Sequence, residues 1–505
     1  MALAKIRSAV VSGISATAVE VEVDVASGLP GFIIVGLADK AVEESRERVR
    51  SAIKHSGFSF PLSRITVHLA PSEKKKSGVH FDLPIALAIL VADGQLKTKT
   101  LPTNALFLGG LSLDGRTQAI NGTLVLVEWA RNNGFDRVVL PSENYEESLL
   151  VEGIDLVPVS SLNEVAELIL HDTLPPKPTP SLRHAEEDHS TDWLQIQGQE
   201  KAKRAAVISA AGGHNLLMEG PPGAGKTLIA RGIRALLPAL NRDEKIEVVK
   251  VHSVAGELDR SAPVDSIGRP FRSPHHTASH ISIVGGGTHP RPGEISLAHH
   301  GVLFLDELPE FNRLVTESLR QPLEDAEINV ARVNESVRYP ANFMLVATMN
   351  PCPCGWFGSA THECICSAHA ISQYRKKISG PIMDRIDIYL NVPALPIAKL
   401  QNPESHSKEL QTLRQLIAQA QDLARQRNGK VLNGRISPAS ISKICQTDPA
   451  AAKLIEQAGD KFGLTGRGYH KLLRVARTIA DLNHHENIGV SEAAEALQYR
   501  FNRAS

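Results

Sequence analysis

A chain of 505 residues makes two or three compact units on the usual scale of about 150 residues per domain, which excludes a single small binding module. Lys plus Arg and Asp plus Glu both number 55, and a content of 42% hydrophobic and 22% charged residues excludes extensive disorder and a wholly basic coat. No run of about 18 apolar residues occurs, Val19 to Val25 alternates with acidic residues where a leader needs an apolar core, and five cysteines make no disulfide framework for this length. A soluble cytoplasmic protein without membrane contact is expected.

Val19 to Val25 has the period of a strand, and Lys40 to His55 has helical spacing closed by Gly57. The apolar runs Ile65 to Leu69 and Val138 to Leu140 bracket a helix-like stretch from Leu83 to Val91, so residues 1–170 read as a folded α/β domain. Pro175, Pro176, Pro178 and Pro180 stiffen the chain that follows, while Glu186, Glu187 and Asp188 keep it hydrated; 171–192 reads as a linker. Asn215 to Met218 then leads into a Gly-rich turn, after which Leu228, Ile229, Ile233, Leu236 and Leu237 recur with helical spacing up to Pro238. Val302 to Leu305 and Phe343 to Ala347 are continuous apolar runs, as in strands buried on both faces of a parallel sheet. Residues 193–395 read as an α/β core and 396–505 as a helical domain. From Lys408 onward there are 15 Lys or Arg against 9 Asp or Glu, so the basic charge is local.

Gly220, Pro221, Pro222, Gly223, Ala224, Gly225, Lys226 and Thr227 form the full Walker A pattern, set between a strand and a helix. Glycines let the loop fold its N–H groups around phosphates, and the helix starting near Lys226 offers its positive end. Lys226 is the expected partner of the β and γ phosphates, and Thr227 that of Mg²⁺. Val302 to Glu307 is an apolar strand ending in two carboxylates: Asp306 to hold Mg²⁺, directly or through water, and Glu307 as general base. Eighty positions separate Lys226 from Asp306, so an insertion is expected, with Gly285, Gly286 and Gly287 as its flexible part.

Cys352, Cys354, Cys364 and Cys366 form two C-x-C pairs nine residues apart. Four thiolates in so short a span suit tetrahedral Zn²⁺ in a structural role; the competing reading is four reduced, unliganded thiols. The pairs His275/His276 and His299/His300 are weaker candidates, because adjacent residues point apart on a regular element.

The segments Arg269-Pro-Phe-Arg-Ser-Pro-His-His-Thr-Ala-Ser279, Pro292-Gly-Glu-Ile-Ser-Leu-Ala-His-His-Gly301, Asn350-Pro-Cys-Pro-Cys-Gly355, Ile378-Ser-Gly-Pro-Ile-Met-Asp-Arg-Ile-Asp387 and Arg474-Val-Ala-Arg-Thr-Ile-Ala-Asp-Leu482 are more specific than Walker A alone. With them the whole chain resembles the ComM/YifB family, bacterial competence-linked AAA+ ATPases related to the magnesium-chelatase ATPase subunit. The resemblance implies a Lon-protease-like N-terminal domain, an AAA+ P-loop core with a parallel sheet, and a helical C-terminal lid. It implies that Asn350 is the polar sensor, that Arg385 is inserted into a neighbouring subunit's site, and that Arg474 is the second sensor arginine. By residue type alone Arg375, Arg467 and Arg477 compete for the arginine roles, and a surface ion pair is the plain alternative.

The Lon pattern places its nucleophilic serine in Gly-Pro-Ser-Ala-Gly, where this chain reads Gly78-Val-His-Phe-Asp82, with His80 at the serine position. Asn121-Gly-Thr-Leu-Val-Leu126 aligns with the segment that should carry the lysine and has none. Ser72 and Ser77 lie near Lys74, Lys75 and Lys76, but consecutive lysines tend to be solvated and protonated, unfit to activate a serine. A binding or assembly domain is expected rather than a peptidase.

The family resemblance implies a ring, a hexamer, that uses ATP and Mg²⁺ to move along single-stranded and branched DNA as a helicase. Its work would be branch migration during recombination in natural transformation, with recombination proteins as partners. A metal-chelatase motor, a protein-remodelling ATPase and a nucleotide-gated adaptor are the rivals. Aromatics are only 4%, which offers no obvious stacking platform for DNA. Candidate phosphate contacts are Arg269, Arg272 and Arg291 in the insertion, and Arg332 and Arg338 on a hairpin expected between Ile328 and Tyr339.

Overall fold

In the computed structural model, alternation places the first strands: along β1 (Leu3–Ser12) and β2 (Ser15–Ala26), Val19, Val21 and Val23 are buried while Glu20, Glu22 and Asp24 lie on the half-exposed face. The structure describes residues 3–73, 76, 78–96, 104–179, 190–260, 262–287, 290–331, 336–359, 362–395 and 407–500. Part of the expected linker, 180–189, therefore lies outside the described residues, as do Lys74, Lys75, Ser77 and Arg332. Among the described residues no helix is long and apolar enough to cross a membrane.

The chain divides into two compact units, Met1–His184 with Lys245–Ile267, and Ala185–Glu244 with Gly268–Ser505. In the first, β3 (Gly31–Val35) runs parallel to β4 (Arg64–Ala70), which pairs antiparallel with β2, giving the order β1-β2-β4-β3. Helices α1 (Ser45–His55) and α2 (Asp82–Ala92) pack beside it. All eleven residues of α2 are buried, so it is apolar around its whole circumference rather than striped. A second, parallel sheet holds β5 (Ala105–Phe107), β6 (Arg137–Pro141) and β7 (Asp155–Val159), with α3 (Thr123–Asn132) before β6 and α4 (Leu162–His171) after β7.

Val249 and Val264 come from the segment between the two Walker motifs, yet they complete the first unit's core around Leu106, Leu124 and Val138. Ser253 Oγ donates to Glu147 at 2.6 Å, and Gly122 N–H donates to the Ser253 carbonyl at 3.1 Å. Lys250 Nζ donates to Glu128 at 2.6 Å, adding an ion pair to the same attachment.

The second unit is built on a five-stranded sheet in which every pairing is parallel. Helix α5 (Glu200–Gly212) precedes β8 (Leu216–Glu219), and α6 (Lys226–Leu236) follows the Gly-rich turn. Helix α7 (Arg242–Ala255), which from Lys245 onward belongs to the first unit, is followed in the chain by β9 (Phe271–Arg272), β10 (Val302–Leu305), the hairpin β11 (Glu327–Ala331) and β12 (Ser336–Pro340), then β13 (Met344–Met349), α8 (Ala368–Lys376) and β14 (Ile388–Asn391). The sheet order is β9-β10-β13-β8-β14. Strands β10 and β13 are buried at every position, as their unbroken apolar runs require. Helices α9 (Ser407–Asn428), α10 (Pro449–Phe462), α11 (Gly466–Leu482) and α12 (Val490–Gln498) complete the unit.

One expectation is corrected. Gly285 and Gly286 are not an open spacer: they form a short antiparallel ladder with Arg291 and Pro292. A Cβ on the adjoining Gly293 would lie 2.4 Å from the Gly285 nitrogen, so these glycines serve close backbone approach rather than looseness.

Candidate active site

Sheet register assembles the site. Leu305 pairs with Ala347, and Glu219 pairs with Met349, so Asp306, Gly220 and Asn350 all emerge at the carboxyl ends of three adjacent parallel strands, the edge at which such sheets bind ligands. Gly220 is required by contact, since a Cβ there would sit 2.2 Å from the Val392 carbonyl oxygen. Gly223 and Gly225 take φ of +75° and +86°, turning the loop back on itself before α6. Gln199 braces the loop from outside, donating from Nε2 to the Ala224 carbonyl (3.1 Å) and the Pro393 carbonyl (2.8 Å).

Lys226 Nζ donates to the Gly220 carbonyl (2.6 Å), the Pro221 carbonyl (2.9 Å) and Asn350 Oδ1 (3.2 Å). Burial pushes its pKa below the usual lysine value, against the pull of Asp306, Glu307 and Glu219. Thr227 Oγ1 lies 3.2 Å from Asp306 Oδ2, and Thr348 Oγ1 donates to Asp306 Oδ1, so the carboxylate is gripped on both oxygens. Glu307 is exposed and left-handed at φ 55°, its N–H bound to Thr348 Oγ1 at 3.0 Å. The structure thus brings together Lys226, Thr227, Asp306, Glu307 and Asn350.

Arg385 and Arg474 stand apart from that group. Arg385 donates to the Arg320 carbonyl (3.2 Å) and the Pro381 carbonyl (2.6 Å) and pairs with Glu324. Its backbone is tied to the sheet by Asn215, which donates from Nδ2 to the Arg385 carbonyl (2.9 Å) and accepts from the Leu345 N–H (2.9 Å). Asn215 N–H also donates to Asp387 at 3.0 Å. Burial disfavours the Asp387 carboxylate, but His214, Lys471 and that N–H outweigh it and hold its pKa below the ordinary range. Arg474, on α11, reaches the Ile436 carbonyl, and its buried Nε has no hydrogen-bond partner among the described residues.

The rival arginines are accounted for in different ways. Arg375 pairs with the buried Glu219 at 3.2 Å, the residue that also accepts from the Tyr389 hydroxyl. Arg477 is buried among the Glu486 and His485 carbonyls and Asp481. Arg467 is exposed and lies 4.0 Å from Glu324, the partner of Arg385. The four cysteine sulfurs of Cys352, Cys354, Cys364 and Cys366 lie within 4.8 Å of one another, a donor set for a thiophilic metal ion.

Three family models cover most of the chain: "Magnesium chelatase, subunit ChlI" over 192–400, "Subunit ChlI of Mg-chelatase" over 21–144, and the ChlI C-terminal model over 407–500. Competence protein ComM of Haemophilus influenzae is 40% identical over 505 residues, spanning 99% of this chain and 98% of that protein. The chain belongs to the ComM/YifB family. YifB of Escherichia coli is 38% identical over 502 residues, 99% of this chain and 97% of its own length. An archaeal Lon protease of Methanocaldococcus jannaschii is 31% identical over 105 residues, covering 21% of this chain and 16% of the protease. The ComM/YifB chain is thus a mixed α/β protein with magnesium-chelatase AAA+-like domains and a limited Lon likeness, and its family implies ATP and Mg²⁺.

At the Lon serine position, His80 is buried just before α2, and burial pushes its pKa down to about 4. Among the described residues the hydroxyl of Ser72 is partnered by a histidine. It lies 2.9 Å from His68 Nε2, whose Nδ1 is 2.9 Å from Glu22, on the half-exposed face of the first sheet. Lys76 is buried and donates to the Pro71 carbonyl.

Among the expected DNA contacts, Arg269 is spent inside the fold, donating to the Pro238 carbonyl (2.6 Å), the His300 carbonyl (2.7 Å) and Glu244 (2.8 Å). Arg272 forms a bidentate pair with Glu294 at 2.6 and 2.8 Å. Arg291 is exposed, and Arg338 is exposed with Glu327 at 3.3 Å.

Proposed function

We propose that this ComM/YifB chain is a ring-forming AAA+ ATPase that translocates along DNA, working as a helicase in branch migration when incoming strands are recombined during natural transformation. The observation that carries the ATPase part is the convergence of Lys226, Thr227, Asp306, Glu307 and Asn350 at three adjacent strand ends. The DNA part is supported by the full-length likeness to a competence protein and by the exposed Arg291 and Arg338.

The residues fit the reaction. Lys226 Nζ is already directed into the turn of the loop, where phosphate oxygens would replace the Gly220 and Pro221 carbonyls as its acceptors. Thr227 and Asp306 are hard oxygen donors of the kind Mg²⁺ prefers, and the ion when bound neutralises charge on the β and γ phosphates. Glu307 takes a proton from the attacking water as the new P–O bond forms and the bond to ADP breaks. Asn350, held against Lys226, orients that water. Arg385 acts on the neighbouring subunit's γ-phosphate, with Glu324 as its holding partner within its own chain. Arg474 serves from the lid, and six copies close the ring.

A second reading, a chelatase-type motor that needs no DNA, is favoured by the three chelatase-subunit models. ATP turnover with and without single-stranded, forked, three-stranded and four-way DNA, alongside strand displacement, separates the two. DNA-stimulated turnover with displacement is expected. Turnover indifferent to DNA passes the assignment to the chelatase-type motor, and negligible turnover in all conditions to a nucleotide-gated adaptor.

A further inference from the structure

The four clustered cysteines have the geometry of a closed single-ion site. The sulfurs of Cys352 and Cys354 are 3.4 Å apart, and Cys364 lies 3.7 Å from each. A tetrahedron of thiolates about 2.3 Å from Zn²⁺ has an edge of about 3.8 Å, so these three sulfurs already stand near that spacing, with Cys366 Sγ within 4.8 Å of each. They are far beyond the roughly 2.05 Å of a disulfide. A two- or four-iron cluster divides four cysteines among its irons, so sulfurs on different irons stand further apart than a single ion holds them. The Phe357 N–H donates to Cys352 Sγ at 3.3 Å, fixing where that sulfur points.

The loop that carries these sulfurs lies directly on the phosphate loop. Asn350 precedes Cys352 by two residues and accepts from Lys226, and Gly220 N–H donates to the Met349 carbonyl at 3.2 Å. Gly355, next to Cys354, is so close to the phosphate loop that a Cβ would lie 2.6 Å from Pro222 Cδ and 2.8 Å from Cγ. Beyond the second cysteine pair, Arg375 reaches Glu219, the last residue before the phosphate loop, and its guanidinium covers Phe357 at 5.5 Å.

We infer that Cys352, Cys354, Cys364 and Cys366 bind one Zn²⁺, and that the ion clamps their loop onto Pro222 and so fixes the shape of the nucleotide-binding loop. The zinc displaces thiol protons on binding, and with four sulfur ligands it leaves no position for water, so its role is positioning rather than catalysis. The inference rests on the phosphate-loop assignment and is independent of DNA.

The test uses the full chain purified without added metal. Elemental analysis should find one zinc per chain. Binding of a fluorescent ATP analogue and amide exchange over 220–225 are then measured on zinc-loaded, chelator-stripped and zinc-reloaded protein. Stripping should weaken nucleotide binding roughly tenfold, in keeping with the sensitivity of such sites to ångström-scale displacement, and raise exchange in the loop; reloading should restore both. Gly355→Ala should keep its zinc yet bind nucleotide as poorly as the stripped protein. Circular dichroism of the stripped sample guards against general unfolding, and a gross loss of helix on stripping would make the ion a folding element and overturn the local clamp. Absence of metal, iron in place of zinc, or zinc whose removal leaves affinity and exchange unchanged each overturns the inference. Zinc-loaded protein that binds no nucleotide at all overturns the phosphate-site reading, and with it the coupling.

Discussion

Thr227 and Asp306 meet at 3.2 Å across 79 positions of sequence, one at the start of the helix after β8 and the other at the end of β10. The contact exists because β13 lies between β8 and β10 and sets their ends level. Hydroxyl and carboxylate are thereby ready to share one hard cation.

Removing the two ends of this machinery should have different consequences. Lys226→Ala should abolish nucleotide binding or hydrolysis. Glu307→Gln should bind ATP normally and turn over about 10²- to 10⁴-fold more slowly, the range lost with a general base, and the trapped ATP should favour the assembled ring. Equal turnover in wild type and Glu307→Gln would reassign the base.

Arg385 is expected to act across a subunit boundary. Arg385→Ala alone should depress turnover by about 10³-fold or more, on the scale of other arginine fingers. Mixing it with Lys226→Ala subunits should recover part of the activity, at junctions where an intact phosphate loop faces an intact arginine. Normal turnover of Arg385→Ala at saturating ATP and protein would transfer the role to Arg467, which shares Glu324.

Much of this was readable in the one-dimensional pattern, and the reason is local. A phosphate loop is eight consecutive residues, and an unbroken apolar run before Asp306 fits only a doubly covered strand. Arg269 shows the limit: its charge is legible, but its burial among the Pro238 and His300 carbonyls depends on segments far apart in the chain. Asn215 and Glu219 were invisible as positioning residues for the same reason, since their partners Arg385, Asp387 and Arg375 lie more than 150 residues away.

The arginines should separate into structural and surface classes under salt. Arg291→Ala and Arg338→Ala should each flatten the salt dependence of DNA affinity by about one counterion. Arg269→Ala should instead cost stability, roughly 1–3 kcal/mol for each buried acceptor left without its donor, by orphaning the Pro238 and His300 carbonyls while Glu244 keeps Arg425 at 3.6 Å. Affinity titrations at several salt concentrations, paired with thermal melts, read both. An unchanged slope in both surface variants would remove these residues from the DNA track.

Acid should weaken the first unit through His80. Its pKa is held at about 4 by burial, and Nε2 has no hydrogen-bond partner among the described residues, whereas in the unfolded chain it titrates near 6.5. Above that pH the ring is neutral in both states. As pH falls from about 6.5 to 4 only the unfolded state gains the proton, so roughly 3 kcal/mol is lost. Urea unfolding followed by amide exchange in Asp82–Ala92 should show the loss in wild type and a flatter profile in His80→Leu. Identical profiles would contradict it.

Because the first unit takes Val249 and Val264 into its core, it is discontinuous along the chain. A ribosome must release the phosphate loop, and about forty residues beyond it, before that core has all its parts. A fragment ending at His184 would leave an apolar seam along Leu106, Leu124 and Val138 and lack the hydroxyl that Glu147 accepts from. The N-terminal domain is thus completed during synthesis only after the nucleotide loop has been made, and a truncation that seems to respect the linker would cut it from its own last piece.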